Sequence, residues 1–158
     1  MLETMRRQSL ETPAFRGVLA FCSNMHAAPV FGYATVEHAY QAAKTTDRAA
    51  RERIRAAATP QLAKCMGNPK HRLCAIPTLR ADWEEIKLAV MRALVREKFL
   101  RHPSLARLLL ATGDLALVER NVWRDRCWGV WEGRGENHLG RILMEVRAEL
   151  RNASPVRE

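Results

Sequence analysis

The stretch Tyr33-Ala-Thr-Val-Glu-His-Ala-Tyr-Gln-Ala-Ala-Lys44 decides how this chain is read. Thr35 has the right chemistry to cap a helix, because its hydroxyl can accept a backbone N–H of the first turn. Ala39, Tyr40, Ala42 and Ala43 carry that helix to about Thr46. Glu37 then falls in the first turn, where a carboxylate complements the helix dipole. Taken alone, Glu37 is a helix-start charge and His38 a surface or core histidine. Lys44, two turns on, is either a solvated cation or a phosphate partner.

Further helices follow this start. Asp47 opens a second helix through "DRAARERIRAAA". "TPQLAKCMG" is a third, with Thr59 at the cap, Pro60 at the first position and Gly67 past the end. "RADWEEIKLAVMRALVREKFLRH" is the longest, with Asp82 at its start and Trp83, Ile86, Val90, Met91, Leu94 and Val95 on one face. "PSLARLLLAT" begins at Pro103 and stops at Gly113. In the last, Leu139, Ile142, Leu143, Val146 and Leu150 share a face. Short strands are expected in "AFRGVLAFCSNM", in "LALVERN" and before the loop of "RCWGVWEGRGEN"; "PVFGYATV" reads as a turn or strand. The expected class is α+β, a mostly helical single domain with a few short strands. Its bounds are 14–151, between polar tails at 1–13 and 152–158 that contain Pro13 and Pro155.

Composition narrows the function. With 158 residues, 47% apolar and 27% charged, the chain is ordinary globular material. No apolar run approaches the ~20 residues of a membrane span, and the N-terminus lacks the apolar core of a secretory signal. A cytoplasmic protein without membrane association is expected. Cys22, Cys65, Cys74 and Cys127 form no C-x-x-C pair, as suits reduced thiols. Cys65, His71 and Cys74 match no standard zinc spacing. The net charge of +9, from 26 basic and 17 acidic residues, suits a phosphate or nucleic-acid partner and equally a solvated face. Dinucleotide and P-loop signatures are absent.

The loop "DRCWGVWEGRGENHLG" combines indoles, glycines, charges and an asparagine. Glycines admit close backbone approach to a ligand, and the helix behind offers N–H groups to a phosphate. Trp128 is a core residue or a stacking surface; Trp131 covers the loop. Asn137 caps the last helix, contacts a ligand, or does both.

Together, "FCSN", "VEHAYQAAK", "ATPQLAK", "DWEEIKLAVMRALVREKF", "LLLATGD" and "WGVWEGRGENHLGRILMEVR" resemble the NADAR (YbiA-like) family, in order over roughly residues 15–151. The resemblance implies an α-rich fold and an N-glycosidase that needs no metal or redox cofactor. One branch of the family hydrolyses phosphorylated ribosylamino-pyrimidine intermediates of early riboflavin biosynthesis; another removes ADP-ribose from guanine in nucleic acid. A non-catalytic ADP-ribose or nucleotide binder is a rival in another class. No obligate protein partner is evident.

The same resemblance makes Glu37 the catalytic carboxylate, with Trp83 and Trp128 at the active site. It assigns Asn24, Lys44 and Asn137 to substrate binding. For the glycosidic reaction so implied, Arg134 is the expected phosphate partner beside Lys44, and Asp125 the candidate proton donor to the leaving base. The chain departs from the family pattern at Cys22, Met25, Cys127 and Val130. Those positions line the pocket and bear on substrate choice.

Overall fold

A computed structural model describes residues 1–11, 14–69, 71 and 78–153. The architecture is mostly helical: α1 (Leu2–Glu11), a 3-10 helix (Gly17–Cys22), α2 (Val36–Ala43), α3 (Arg48–Arg55), α4 (Pro60–Met66), α5 (Trp83–Arg101), α6 (Pro103–Ala111) and α7 (His138–Ala153). No helix among the described residues is long and apolar enough to cross a membrane. The chain forms two compact units, one of Met1–Ser23 with Phe99–Glu158 and one of Asn24–Lys98.

In the Asn24–Lys98 unit, α2, α3 and α4 pack on one another around Ala42, Ala50, Ile54 and Ala63. The three alanines let the helices approach closely, and Ile54 fills the space between them. Each start is capped as its sequence dictates. The Thr35 hydroxyl accepts from His38 N, the Asp47 carboxylate from Ala49 N and Ala50 N, and the Thr59 hydroxyl from Leu62 N. The long α5 buries Trp83, Met91, Leu94 and Val95, while Ile86 and Val90 are only half-buried.

In the other unit, α7 buries Leu139, Ile142, Leu143 and Val146 and packs on α6. Arg147 lies among them, its Nη1 donating to Thr112 Oγ1 (2.7 Å) and to the Leu115 carbonyl (2.9 Å). Those bonds offset the cost of burying a charge.

The segments read as strands come out differently. The first is the 3-10 helix, which buries Leu19, Phe21 and Cys22 and closes its own turns through Leu19 N to Arg16 O and Ser23 N to Ala20 O, both 3.0 Å. Elsewhere, pairing among the described residues is limited to three isolated bridges: Val30 with Tyr33, Arg120 with Val130, and Trp131 with Arg134. In "LALVERN" much of a partner strand's work is done by the Asn137 amide, which accepts from Glu119 N (3.0 Å) and donates to Leu117 O (2.9 Å).

The N-terminal tail also differs, being helical over Leu2–Glu11. Leu, Met, Arg, Gln and Glu all favour helix, and Met5, 1% exposed, pins it against the 3-10 helix. Cys65 is disulfide-bonded rather than a reduced thiol, which removes it from any thiolate zinc set. Pro13, Cys74 and Pro155 lie outside the described residues.

Candidate active site

Glu37 is not a surface charge. Only 7% of it is exposed. Its backbone N–H donates to the Asn24 carbonyl (3.0 Å), which ties the start of α2 to the segment before it. Its Oε1 accepts from Gln41 Nε2 at 2.7 Å, one helical turn on. Its Oε2 takes no hydrogen bond among the described residues. The carboxylate is thus oriented through one oxygen.

Gln41 is 4% exposed, and its own Oε1 is buried without a hydrogen-bond partner. It lies against Gly67, where an added Cβ would sit 2.0 Å from that oxygen. Gly67 ends α4 with φ −78°, a conformation open to any residue. Space, not backbone freedom, therefore requires glycine there.

The Gly67 carbonyl accepts from Lys44 Nζ at 3.3 Å. That ammonium also lies 5.4 Å from the Tyr40 ring centre and 6.0 Å from that of Trp83. Burial pushes Lys44 below its ordinary range; the Glu37 charge pulls it back, Lys64 pushes it down and Glu84 pulls it up. Tyr40 and Trp83 pack ring on ring at 5.0 Å and 60°, and both are buried. Arg80 N donates to the Lys44 carbonyl (2.8 Å), linking the approach to α5 to the end of α2.

The structure therefore brings Glu37, Lys44 and Trp83 into one cluster and adds Gln41, Tyr40 and Gly67. The i, i+4 spacing of Glu37 and Gln41 was visible in the sequence; the apposition of Gly67 was not. Asn24 takes part through its carbonyl, while its Nδ2 donates to Met91 Sδ at 3.4 Å. His38 is structural: Nε2 donates to the Ala57 carbonyl (3.1 Å) and Nδ1 pairs with the Thr35 hydroxyl (2.8 Å).

Trp128, Asp125, Arg134 and Asn137 belong to the other unit. There residues 126–129 and 136–139 are laced by Glu136 N to Arg126 O (2.7 Å), His138 N to Cys127 O (3.2 Å), Leu139 N to Trp128 O (3.1 Å) and Asn137 N to Gly129 O (3.3 Å). Asp125 Oδ1 accepts from Cys127 N and Trp128 N, both at 2.9 Å, so this oxygen shapes the loop. Asn121, which sequence reasoning passed over, holds Asp125 at both its N–H and its carbonyl. Trp128 is half-buried and edge-on to His138 at 6.2 Å.

The Asn137 amide is spent on the backbone bonds described above. Arg134 is exposed beside a two-residue turn in which Glu132 (φ 48°) and Gly133 (φ 73°) are both left-handed. Trp131 lies under Arg126 and Arg124, at 4.6 and 5.4 Å.

An oriented buried carboxylate beside a lysine and an aromatic pair is suited to steadying a cationic transition state on a phosphorylated substrate. Comparison with known proteins finds relatives named N-glycosidase. N-glycosidase Npun_R5314 of Nostoc punctiforme (strain ATCC 29133 / PCC 73102) is 45% identical over 124 residues, 76% of each chain. N-glycosidase YbiA of Escherichia coli (strain K12) is 42% identical over 117 residues, 73% of this chain and 69% of its own. The NMR structure of E. coli YbiA superposes with a TM-score of 0.75 at 36% identity, covering 91% of this chain and 87% of that one. The riboflavin biosynthesis protein VVA0006 of Vibrio vulnificus (strain YJ016) is 42% identical over 120 residues, 75% of this chain and 31% of its own. Residues 16–151 match the NADAR domain, and the chain belongs to the NADAR family.

Proposed function

We propose that this chain hydrolyses the base–ribose N-glycosidic bond of phosphorylated early riboflavin-pathway intermediates, releasing ribose 5-phosphate. It is a hydrolase of N-glycosidic bonds, the activity for which its relatives are named. The riboflavin name carried by another relative supports the choice of substrate class.

In the proposed reaction the bond from C1′ to the base nitrogen breaks, and its electron pair leaves with the base. Positive charge develops at C1′, as in other glycosidic cleavages. Glu37 stabilises that charge and takes a proton from the attacking water, whose oxygen bonds to C1′. The leaving nitrogen gains a proton in turn. Tyr40 and Trp83 supply an apolar wall for the base, and Lys44 holds the phosphate.

The buried, oriented Glu37 carboxylate, with one oxygen unpartnered among the described residues, carries this reading. Glu37→Gln, assayed for ribose 5-phosphate release, is expected to lose about 10²-fold or more in kcat while its melting temperature holds. A folded variant with near-normal turnover would remove Glu37 from catalysis. Parallel assay on ADP-ribosylated guanine in DNA separates the two branches of the family, and wild-type protein that binds but releases no sugar from either substrate is a binder only.

A further inference from the structure

We propose that Cys127, Glu136 and His138 form a binding site for one divalent transition-metal ion of the zinc class. One donor atom from each residue lies within 4.8 Å of the other two. The triad sits in the unit that does not contain Glu37, and hydrolysis does not call for it.

The donors stand on a built frame. His138 N donates to the Cys127 carbonyl and Glu136 N to the Arg126 carbonyl, so the two segments that bear them are clamped by their own backbone. Asp125 Oδ1 fixes the Cys127 N–H from the other side. Arg124 and Arg126, the cations of the same loop, lie over the Trp131 ring.

The donor set selects the metal. Thiolate, imidazole and carboxylate together suit zinc, whereas calcium and magnesium favour oxygen alone. Zinc bonds of about 2.3 Å to sulfur and about 2.0–2.1 Å to nitrogen or oxygen put tetrahedral donors roughly 3.3–3.6 Å apart. The present His138–Glu136 contact, Nε2 to Oε2 at 2.6 Å, would open slightly and the thiol would close in. Side-chain rotation suffices, because the Glu136 side chain is 64% exposed and His138 opens α7. On binding, the Cys127 thiol loses its proton to solvent and its sulfur bonds the metal. Three protein ligands leave the fourth position to water. The bound ion would brace the two segments that flank Trp128.

Cobalt(II) is the probe. The full chain is stripped with a chelator and titrated. One equivalent should bind, with the visible bands of a four-coordinate ion and a near-ultraviolet thiolate charge-transfer band that zinc then abolishes. Cys127→Ser should lose the charge-transfer band, and Cys22→Ser should keep it. His138→Gln should weaken binding by more than the ~10–100-fold typical of outer-shell changes. Absence of stoichiometric uptake by the wild-type chain overturns the proposal, as does a charge-transfer band that survives in Cys127→Ser.

Discussion

Gln41 shows how a neutral side chain sets the work of a charged one. It holds Glu37 through Oε1 and leaves its own oxygen buried and unbonded. An orphaned buried acceptor costs about 1–3 kcal/mol, comparable to a hydrogen bond to a charged group. Gln41→Leu removes both at once. Its stability should nonetheless fall by about 1–3 kcal/mol, because the buried Glu37 carboxylate also loses its donor. Its kcat should fall by about tenfold or more, because Glu37 loses its orientation. Full activity in a folded Gln41→Leu protein would leave Gln41 without a positioning role.

Lys44 makes a second prediction at this scale. Its folded pKa is lowered from 10.5, first by burial. The folded state therefore binds fewer protons than the unfolded state between that lowered value and 10.5. Stability attributable to Lys44 rises with pH through this window and is lowest below it. Denaturation of the wild type and Lys44→Met from pH 7 upward should show the wild type gaining on the variant. A constant difference contradicts the burial account. Substrate phosphate affinity should run the opposite way, declining as Lys44 deprotonates.

At the scale of elements, the starts of α2, α3 and α4 were legible in advance and strands were not. Thr35, Asp47 and Thr59 cap the helices as their chemistry requires, because a cap is satisfied within four residues. A strand depends on a distant partner. Around Leu117 and Glu119 part of that partner is one asparagine side chain, which no local pattern announces.

Two turns are similarly hidden. Phe31 (φ 47°) with Gly32 (φ 78°), and Glu132 (φ 48°) with Gly133 (φ 73°), each occupy the centre of a two-residue hairpin. Both central positions are left-handed, which favours Asn-Gly over Phe-Gly or Glu-Gly. Phe31→Asn and Glu132→Asn should each stabilise the fold by about 0.5–1 kcal/mol in urea denaturation. Destabilisation would mean that these side chains make contacts worth more than the backbone strain.

For the whole molecule, the +9 charge bears on rate more than on fold. A phosphorylated ribosylamine carries few charges, so kcat/KM should fall only modestly between 50 and 200 mM salt, by far less than the ~10³-fold loss of a protein gripping six or more DNA phosphates. A steep dependence on a DNA-borne substrate would instead favour the nucleic-acid branch.

The sequence by itself determined helices α2 to α7, the caps of α2, α3 and α4, and the motifs that mark the family, but not α1. Each of these rests on hydrogen bonds and apolar spacing within a few residues, or on residue types in fixed order. Tertiary structure alone decided that Glu37 is buried rather than displayed, that Gln41 orients it, and that Gly67 is glycine for want of room. It also converted the expected strands into a 3-10 helix and isolated bridges. Burial and close approach are set by which distant segments meet, and that depends on packing across the fold rather than on any local run of residues.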